Sequence, residues 1–236
     1  MTVELDSEAL VCRNEEFGYL IIDGLLASNA RAKLHDHVIQ DNFFYENSFE
    51  WNRVWHPMSG MALLTGPKSY GETSKPGPRF PTNTPYDIFF SGVEQHLTVI
   101  GEFLDIPASQ VCYVMSGYLY RAGWGLPWHE DIGENTEYRG AFTYYLHDQW
   151  RGNWGGELMI LADERHDDAG EGSIDLAFTQ GTGLHAPSHI SNGVGNFVMP
   201  KSNRLVILRP RVLHSVAPVS SLAGENMRFS LAGFYI

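Results

Sequence analysis

Two histidines and one aspartate are the residues whose types and spacing best suit metal chemistry. His129 and Asp131 are separated by one residue, and His214 lies much further along the chain, within Arg211–Val216. In an extended strand, residues i and i+2 point to the same face, so His129 and Asp131 can bind one ion together. Two imidazoles and one carboxylate that converge form a facial triad, which leaves coordination positions of Fe(II) open for further ligands.

An arginine follows this triad and extends the chemistry. Arg228 lies in Met227–Ser230, downstream of His214. A guanidinium group in this position could hold an acidic co-substrate through a bidentate contact. A second His-x-Asp sequence, His166–Asp168, lies in a run of charged residues without apolar neighbours, which is typical of a solvated loop. A lone histidine is more often a half-buried structural residue than a ligand, so the metal hypothesis depends on the whole set.

Composition restricts the class of protein. The chain has 236 residues with a formal net charge of -12, 43% hydrophobic and 19% charged residues, as in ordinary globular domains. An acidic protein is repelled by nucleic acid and by anionic membranes, so neither is an expected partner. Cys12 and Cys112 form no CxxC motif, and the first residues show no basic or long apolar run. We therefore expect reduced thiols, no signal peptide and a cytoplasmic location.

The first part of the chain predicts one strand and two helices. Residues 18–22 form a short apolar run that ends at a turn signal, Asp23-Gly24. Ser28-Asn29-Ala30 offers an N-cap for a helix to about Ile39. A second helix is expected after Pro85 through Phe103, because apolar residues there repeat every three or four positions: Phe89, Val93, Leu97 and Ile100.

From residue 111 onward the pattern changes to strands. Strands in series without intervening helices favour an antiparallel sandwich or barrel, with the two early helices packed on one sheet. We predict one domain over residues 1–236, mainly β with flanking helices, in which residues 1–110 support a core formed by residues 111–236. The predicted core strands cover residues 111–121, 140–146, 157–161, 205–208 and 228–236.

The order of short motifs in residues 114–236 resembles that of a known family. The chain is similar to the 2-oxoglutarate/Fe(II)-dependent oxygenases, specifically the prolyl-4-hydroxylase-like branch, which has a double-stranded β-helix (jelly-roll, cupin-like) core. Each motif is weak alone, whereas the ordered series is specific. The matching segments are Tyr120–Gly123, Phe142–Leu146, Trp154–Leu158, Asn203–Ile207, His214–Val219 and Arg228–Leu231.

This resemblance implies roles for individual residues. It makes His129, Asp131 and His214 the Fe(II) ligands, and it assigns Arg228, Tyr145 and Tyr120 to the binding of 2-oxoglutarate. O2 would be the second co-substrate, and the implied reaction is hydroxylation of an unactivated C–H bond in a small molecule or an amino-acid-like or peptidyl substrate. The interval from His214 to Arg228 is longer than the family's usual spacing, which a longer hairpin would absorb.

Several alternatives remain open at this point. The same triad could hold Zn²⁺ in a hydrolase, or the fold could be a non-catalytic metal-binding or sensing protein. The aromatic, cation-containing segment 42–84 fits either a lid over the metal or a second packing layer on the core. The polar insert 162–195 could be another lid.

Overall fold

The computed structural model describes residues 9–45, 62–73, 77–129, 131, 138–161 and 194–236. Its thirteen described strands are numbered in chain order, and they occupy two sheets that face each other across the core. The strands are β1 (Leu10–Asn14), β2 (Tyr19–Asp23), β3 (Phe44–Tyr45), β4 (Leu63–Leu64), β5 (Lys68–Tyr70), β6 (Tyr113–Tyr120), β7 (Leu126–His129), β8 (Gly140–Tyr145), β9 (Leu158–Leu161), β10 (Gly195–Val198), β11 (Arg204–Leu208), β12 (His214–Val216) and β13 (Arg228–Tyr235).

The larger sheet contains nine of these strands, in the order β1-β2-β11-β8-β13-β6-β4-β3, with β5 also paired to β6. Its described pairs are antiparallel, and strands from the first 70 residues extend both sides of the predicted core. The smaller sheet has the order β10-β9-β12-β7. This mostly β architecture is the double-stranded β-helix that was expected.

Alternation along β13 assigns one face of the larger sheet to the helices and the other to the interior. Phe229, Leu231 and Tyr235 belong to the core cluster that also contains the buried residues of the helices. Arg228 and Ser230 line the cavity between the sheets. The period of two along a strand therefore fixes the direction of Arg228.

The helices are α1 (Ser28–Val38), α2 (Tyr86–Glu94) and α3 (Leu97–Leu104). They cover the outer face of the larger sheet, and α1 buries Leu34 and Val38 as the four-residue spacing predicts. Among the described residues, the other helical segments are 3-10 turns at Ala108–Gln110 and Ser221–Ala223. No helix within the described ranges is long and apolar enough to cross a membrane.

Two local predictions were wrong. The expected single helix from Pro85 to Phe103 is two helices, because the backbone of His96 leaves the helical region at φ -117° and ψ 8°. Both helices nevertheless bury apolar residues in the same core. The N-cap position of α1 is Ala27, and no side chain caps it; the side chain of Asn29 instead accepts a hydrogen bond from the Ala30 amide at 2.7 Å.

Parts of the predicted loop features lie outside the described residues. These are residues 46–61 and 74–76 of the aromatic segment, residues 162–193 of the polar insert, and with them the second His-x-Asp sequence at 166–168.

Candidate metal centre and acid pocket

Strands β7 and β12 bring the two histidines together. They are antiparallel neighbours in the smaller sheet, and His214 is the register partner of His129. Their ring centroids lie 4.2 Å apart. Asp131 lies just beyond the end of β7, with carboxylate oxygens 3.6 Å from His129 Nε2 and 3.3 Å from His214 Nε2. One ligand atom from each of the three residues therefore lies within 4.8 Å of the other two.

Backbone carbonyls set the tautomer of both imidazoles. The Nδ1 atom of His129 lies 2.7 Å from the carbonyl oxygen of Pro127, and Nδ1 of His214 lies 2.8 Å from the carbonyl oxygen of Val212. A carbonyl oxygen only accepts, so each Nδ1 carries the proton and donates it. Each Nε2 then carries a lone pair that is free to bind a metal ion, as in the common arrangement of metal-bound histidine.

The charges of the triad suit a cation. Burial and the neighbouring His214 lower the pKa of His129 to about 4, so this imidazole is neutral at pH 7. Burial alone would raise the pKa of Asp131, but His214 and His129 outweigh that effect and lower it, so the carboxyl group is ionised. A nitrogen lone pair and an anionic oxygen thus meet in a buried place. Fe(II) fits such a donor set.

The triad opens into a cavity of about 70 Å³ between the two sheets. Arg228 lines the same cavity, although its side chain is only 1% exposed. Its Nε donates to the carbonyl oxygen of Gly156 at 3.0 Å, and Nη1 lies 3.5 Å from Ser230 Oγ. Its Nη2 has no hydrogen-bond partner in the described part of the chain. A buried guanidinium group with an unused donor is stabilised when an anionic ligand binds to it.

Two tyrosines flank the guanidinium group. The Cζ atom of Arg228 lies 5.1 Å from the ring centroid of Tyr120 and 4.9 Å from that of Tyr145. Tyr145 is fully buried, and its hydroxyl group also lacks a partner among the residues described. Burial raises the pKa of Tyr120 to about 12, so its hydroxyl group stays protonated. The structure thus brings all six predicted site residues into one region of the core.

The long interval between His214 and Arg228 is absorbed by an ordered loop. Val219 forms isolated β-bridges with Ala122 on one side and with Gly155 on the other. Its amide donates to the carbonyl of Trp124 at 2.9 Å. A 3-10 turn at Ser221–Ala223 then leads to β13. The loop is therefore held against the segments at Ala122–Trp124 and Gly155, and Arg228 is the first residue of β13.

Sequence reasoning missed two residues beside Arg228. The carbonyl of Gly156 accepts its Nε hydrogen bond, and the signal in the sequence is the Gly155-Gly156 pair within the segment Trp154–Leu158. His147 is 5% exposed, and its Nε2 lies 2.7 Å from the carbonyl oxygen of Pro200. Its signal was the two-residue spacing from Tyr145 at the end of a buried strand.

Comparisons with known proteins agree with this geometry. A model of the 2OG-Fe(II) oxygenase superfamily matches residues 115–236, slightly more than half of the chain. This range contains the triad, Arg228 and both tyrosines. A search of curated proteins found no match.

Solved structures share the fold at low sequence identity. A Pseudomonas putida prolyl-4-hydroxylase has 15% identity and a TM-score of 0.56, with 93% of this chain and 92% of that one covered. A Trichoplax adhaerens prolyl hydroxylase, in complex with a hypoxia inducible factor peptide, has 15% identity and a TM-score of 0.60, with 93% and 84% covered. HygX from Streptomyces hygroscopicus, with nickel and 2-oxoglutarate bound, has 12% identity and a TM-score of 0.54, with 94% and 83% covered.

Proposed function

The chain belongs to the 2OG-Fe(II) oxygenase superfamily, whose members are enzymes that use Fe(II), 2-oxoglutarate and O2, and we propose that it hydroxylates an unactivated C–H bond. The proposed substrate is a small molecule or an amino-acid-like or peptidyl group. The observation that carries this proposal is the convergence of a two-histidine, one-carboxylate triad and a buried arginine on one cavity. Fe(II) bound there would supply the activation of O2, coupled to oxidation of 2-oxoglutarate to succinate and CO2.

We assign His129, Asp131 and His214 as the Fe(II) ligands. The backbone contacts of both Nδ1 atoms hold the rings so that each Nε2 faces the ion. The carboxylate of Asp131 neutralises part of the charge of the ion. Since all three side chains are buried or nearly so, the ion would exchange its remaining water ligands only through the cavity.

Arg228, Tyr145 and Tyr120 would hold the distal carboxylate of 2-oxoglutarate. Nη2 of Arg228 and the hydroxyl group of Tyr145 are buried donors without partners among the described residues, and one carboxylate could accept from both. Tyr120 packs against the guanidinium group and keeps water from it. This arrangement orients a five-carbon diacid with its far end at the arginine and its keto-acid end toward the triad.

An amino-acid-like or peptidyl substrate is supported by the similar structures. Two of the similar structures are prolyl hydroxylases, one in complex with a peptide.

We further propose that residues 1–236 act as one domain, since strands of the N-terminal part pair directly with the core strands. A cytoplasmic setting would suit Cys12 and Cys112, which form no disulfide in the described residues.

Succinate release is the direct test. The purified protein is supplied with Fe(II), 2-oxoglutarate and O2, and a panel of peptides and small molecules is screened for stimulated succinate formation. The proposal predicts basal release without substrate and stimulation by one substrate class. Complete absence of succinate with every candidate would favour the non-catalytic alternative.

Metal identity separates the zinc alternative. After anaerobic purification, metal content and activity are measured with Fe(II) and with Zn²⁺. A hydrolase would be active with Zn²⁺ and indifferent to 2-oxoglutarate. An oxygenase would be active with Fe(II) and inactive with Zn²⁺, and its activity would require 2-oxoglutarate.

A further inference from the structure

Arg228 reaches the cavity by passing directly over Gly156. A Cβ atom built on Gly156 would lie 2.8 Å from Arg228 Cδ and 3.5 Å from Arg228 Nε. Real Cβ atoms essentially never come this close to another heavy atom. The side chain of Arg228 is buried, and the open space beside it is the cavity that it lines, so a Cβ at position 156 would push it from its present position toward that cavity. Any side chain at position 156 must therefore displace the guanidinium group.

Gly156 also supplies the hydrogen bond that orients the arginine. Its carbonyl oxygen accepts from Nε at 3.0 Å. With Nε fixed on this side, the remaining nitrogens are directed elsewhere: Nη1 lies near Ser230, and Nη2 has no partner among the described residues. One residue thus provides both the room for the side chain and the acceptor that sets its direction.

The conformation of Gly156 depends on a braced double-glycine turn. Gly155 and Gly156 have φ values of +71° and +76°, a region that other L-residues rarely adopt. The Nε1–H group of Trp150 donates to the carbonyl oxygen of Gly155 at 2.8 Å. A Cβ on Gly155 would lie 2.4 Å from the carbonyl oxygen of Pro218, so this turn packs tightly against the loop before β13.

We propose that the Gly155–Gly156 turn, braced by Trp150, is the positioning element for Arg228 and thereby determines the affinity for 2-oxoglutarate. Gly156 is a positioning residue in this assignment, since it acts through the arginine. The proposal rests on the proposed function of Arg228 as the anchor of the co-substrate carboxylate. It predicts a change in co-substrate affinity without a matching loss of the chemical step.

The test compares Gly156→Ala with Gly123→Ala. Gly123 also has a positive φ, +83°, but a Cβ there would have no heavy atom within 4 Å, so its variant carries backbone strain without the collision. Binding of 2-oxoglutarate to the Mn(II)-loaded proteins is measured by calorimetry, together with KM, kcat and Tm. Gly156→Ala is expected to weaken 2-oxoglutarate binding by about tenfold or more, as for a displaced charge-assisted contact. Gly123→Ala is expected to lower Tm similarly and leave binding unchanged.

A double-mutant cycle tests whether Gly156 acts through the arginine. In an Arg228→Met background, Gly156→Ala should cause no further loss of 2-oxoglutarate affinity, because no guanidinium group is left to be displaced from the carboxylate. Additive losses would overturn the proposal, and so would equal losses in Gly156→Ala and Gly123→Ala.

Trp150→Phe provides a second variant in case Gly156→Ala does not fold. It removes the indole donor to Gly155 and keeps an aromatic ring, and it should raise KM for 2-oxoglutarate with kcat preserved. Wild-type affinity in Trp150→Phe and in a folded Gly156→Ala would refute the positioning role. If Arg228→Met itself left affinity unchanged, the anchor assignment would fail instead, so the two failures are distinguishable.

Discussion

Replacing Arg228 by Met should leave the Tm of the ligand-free protein nearly unchanged and should greatly reduce the rise in Tm that 2-oxoglutarate causes. Methionine is unbranched and fills much of the same buried space. The variant loses the hydrogen bond to Gly156 and the contacts with the rings of Tyr120 and Tyr145. It also loses a buried cation whose Nη2 atom has no hydrogen-bond partner among the described residues. These effects oppose each other at a few kcal/mol each, so Tm without ligand should change little.

The substitution can only weaken the binding of 2-oxoglutarate. A hydrogen bond to a charged group contributes about 1.5 to 3 kcal/mol, so its loss weakens 2-oxoglutarate binding by roughly 10- to 150-fold. At a concentration of about 100 times Kd, the co-substrate stabilises the wild-type protein by about 2.7 kcal/mol, or roughly 5 to 11 °C in Tm at this chain length. After a 100-fold loss of affinity, the same concentration gives about 0.4 kcal/mol, or roughly 1 to 2 °C.

Thermal unfolding of the Mn(II)-loaded proteins, with and without 2-oxoglutarate, measures this difference. Arg121→Met is the matched control, because Arg121 is an exposed arginine whose Cζ lies 5.6 Å from the ring centroid of Trp124. This control removes an equal charge from an aromatic face outside the cavity lining. A 2-oxoglutarate shift in Arg228→Met as large as in the wild type would refute the reasoning. An equal loss in both variants would mean that net charge, not the contact, governs binding.

Two further perturbations test the metal site and a buried histidine. His214→Ala, His129→Ala and Asp131→Ala should each abolish turnover and the rise in Tm on addition of Fe(II) or Mn(II), with circular dichroism unchanged; a retained metal response in any variant would remove that residue from the ligand set. Burial chiefly lowers the pKa of His147 to about 4 from 6.5. The unfolded chain therefore binds more protons between these pH values, and His147 costs stability as pH falls through this window, up to about 3 kcal/mol. His147→Gln should flatten the fall in unfolding free energy from pH 6.5 to 4, as measured by urea denaturation, and an unchanged slope would contradict the burial argument.

The strand periodicity predicted much of the core correctly. The five strands expected between residues 111 and 236 occur within one or two residues of their predicted bounds. Within β13, the same period of two places Arg228 on the interior face and Phe229 on the face toward the helices. The pattern was informative because both faces of the larger sheet are covered, which leaves little freedom of register.

The side chains that converge on the cavity could be chosen from the sequence, whereas the backbone groups that hold them in position could not. The spacing of His129 and Asp131, with a distant histidine and arginine, identified the residues that converge on the cavity. The carbonyls of Pro127 and Val212 that set the imidazole tautomers could not be read from residue types, because every residue carries a carbonyl group. Gly156 was equally hidden, since a glycine pair ordinarily indicates a turn.

The helical part shows where local patterns fail. The apolar repeat from Phe89 to Ile100 continues through His96, so nothing in the periodicity marks the break between α2 and α3. Likewise Ser28 is a good capping residue by type, yet the helix begins one position earlier than that role would require. Neither boundary follows from residue type or apolar spacing alone.

The central place of β13 has a consequence for how the enzyme is made. This strand separates β6 from β8, yet it follows both of them by more than 80 residues along the chain. During synthesis, the edges of β6 and β8 that face β13 stay unpaired until β13 emerges from the ribosome. Such long-range pairing is slow, and a chaperone could protect these edges in the meantime. Because Arg228 begins that same strand, a partly synthesised chain contains all three proposed metal ligands before it contains the proposed anchor of the 2-oxoglutarate carboxylate.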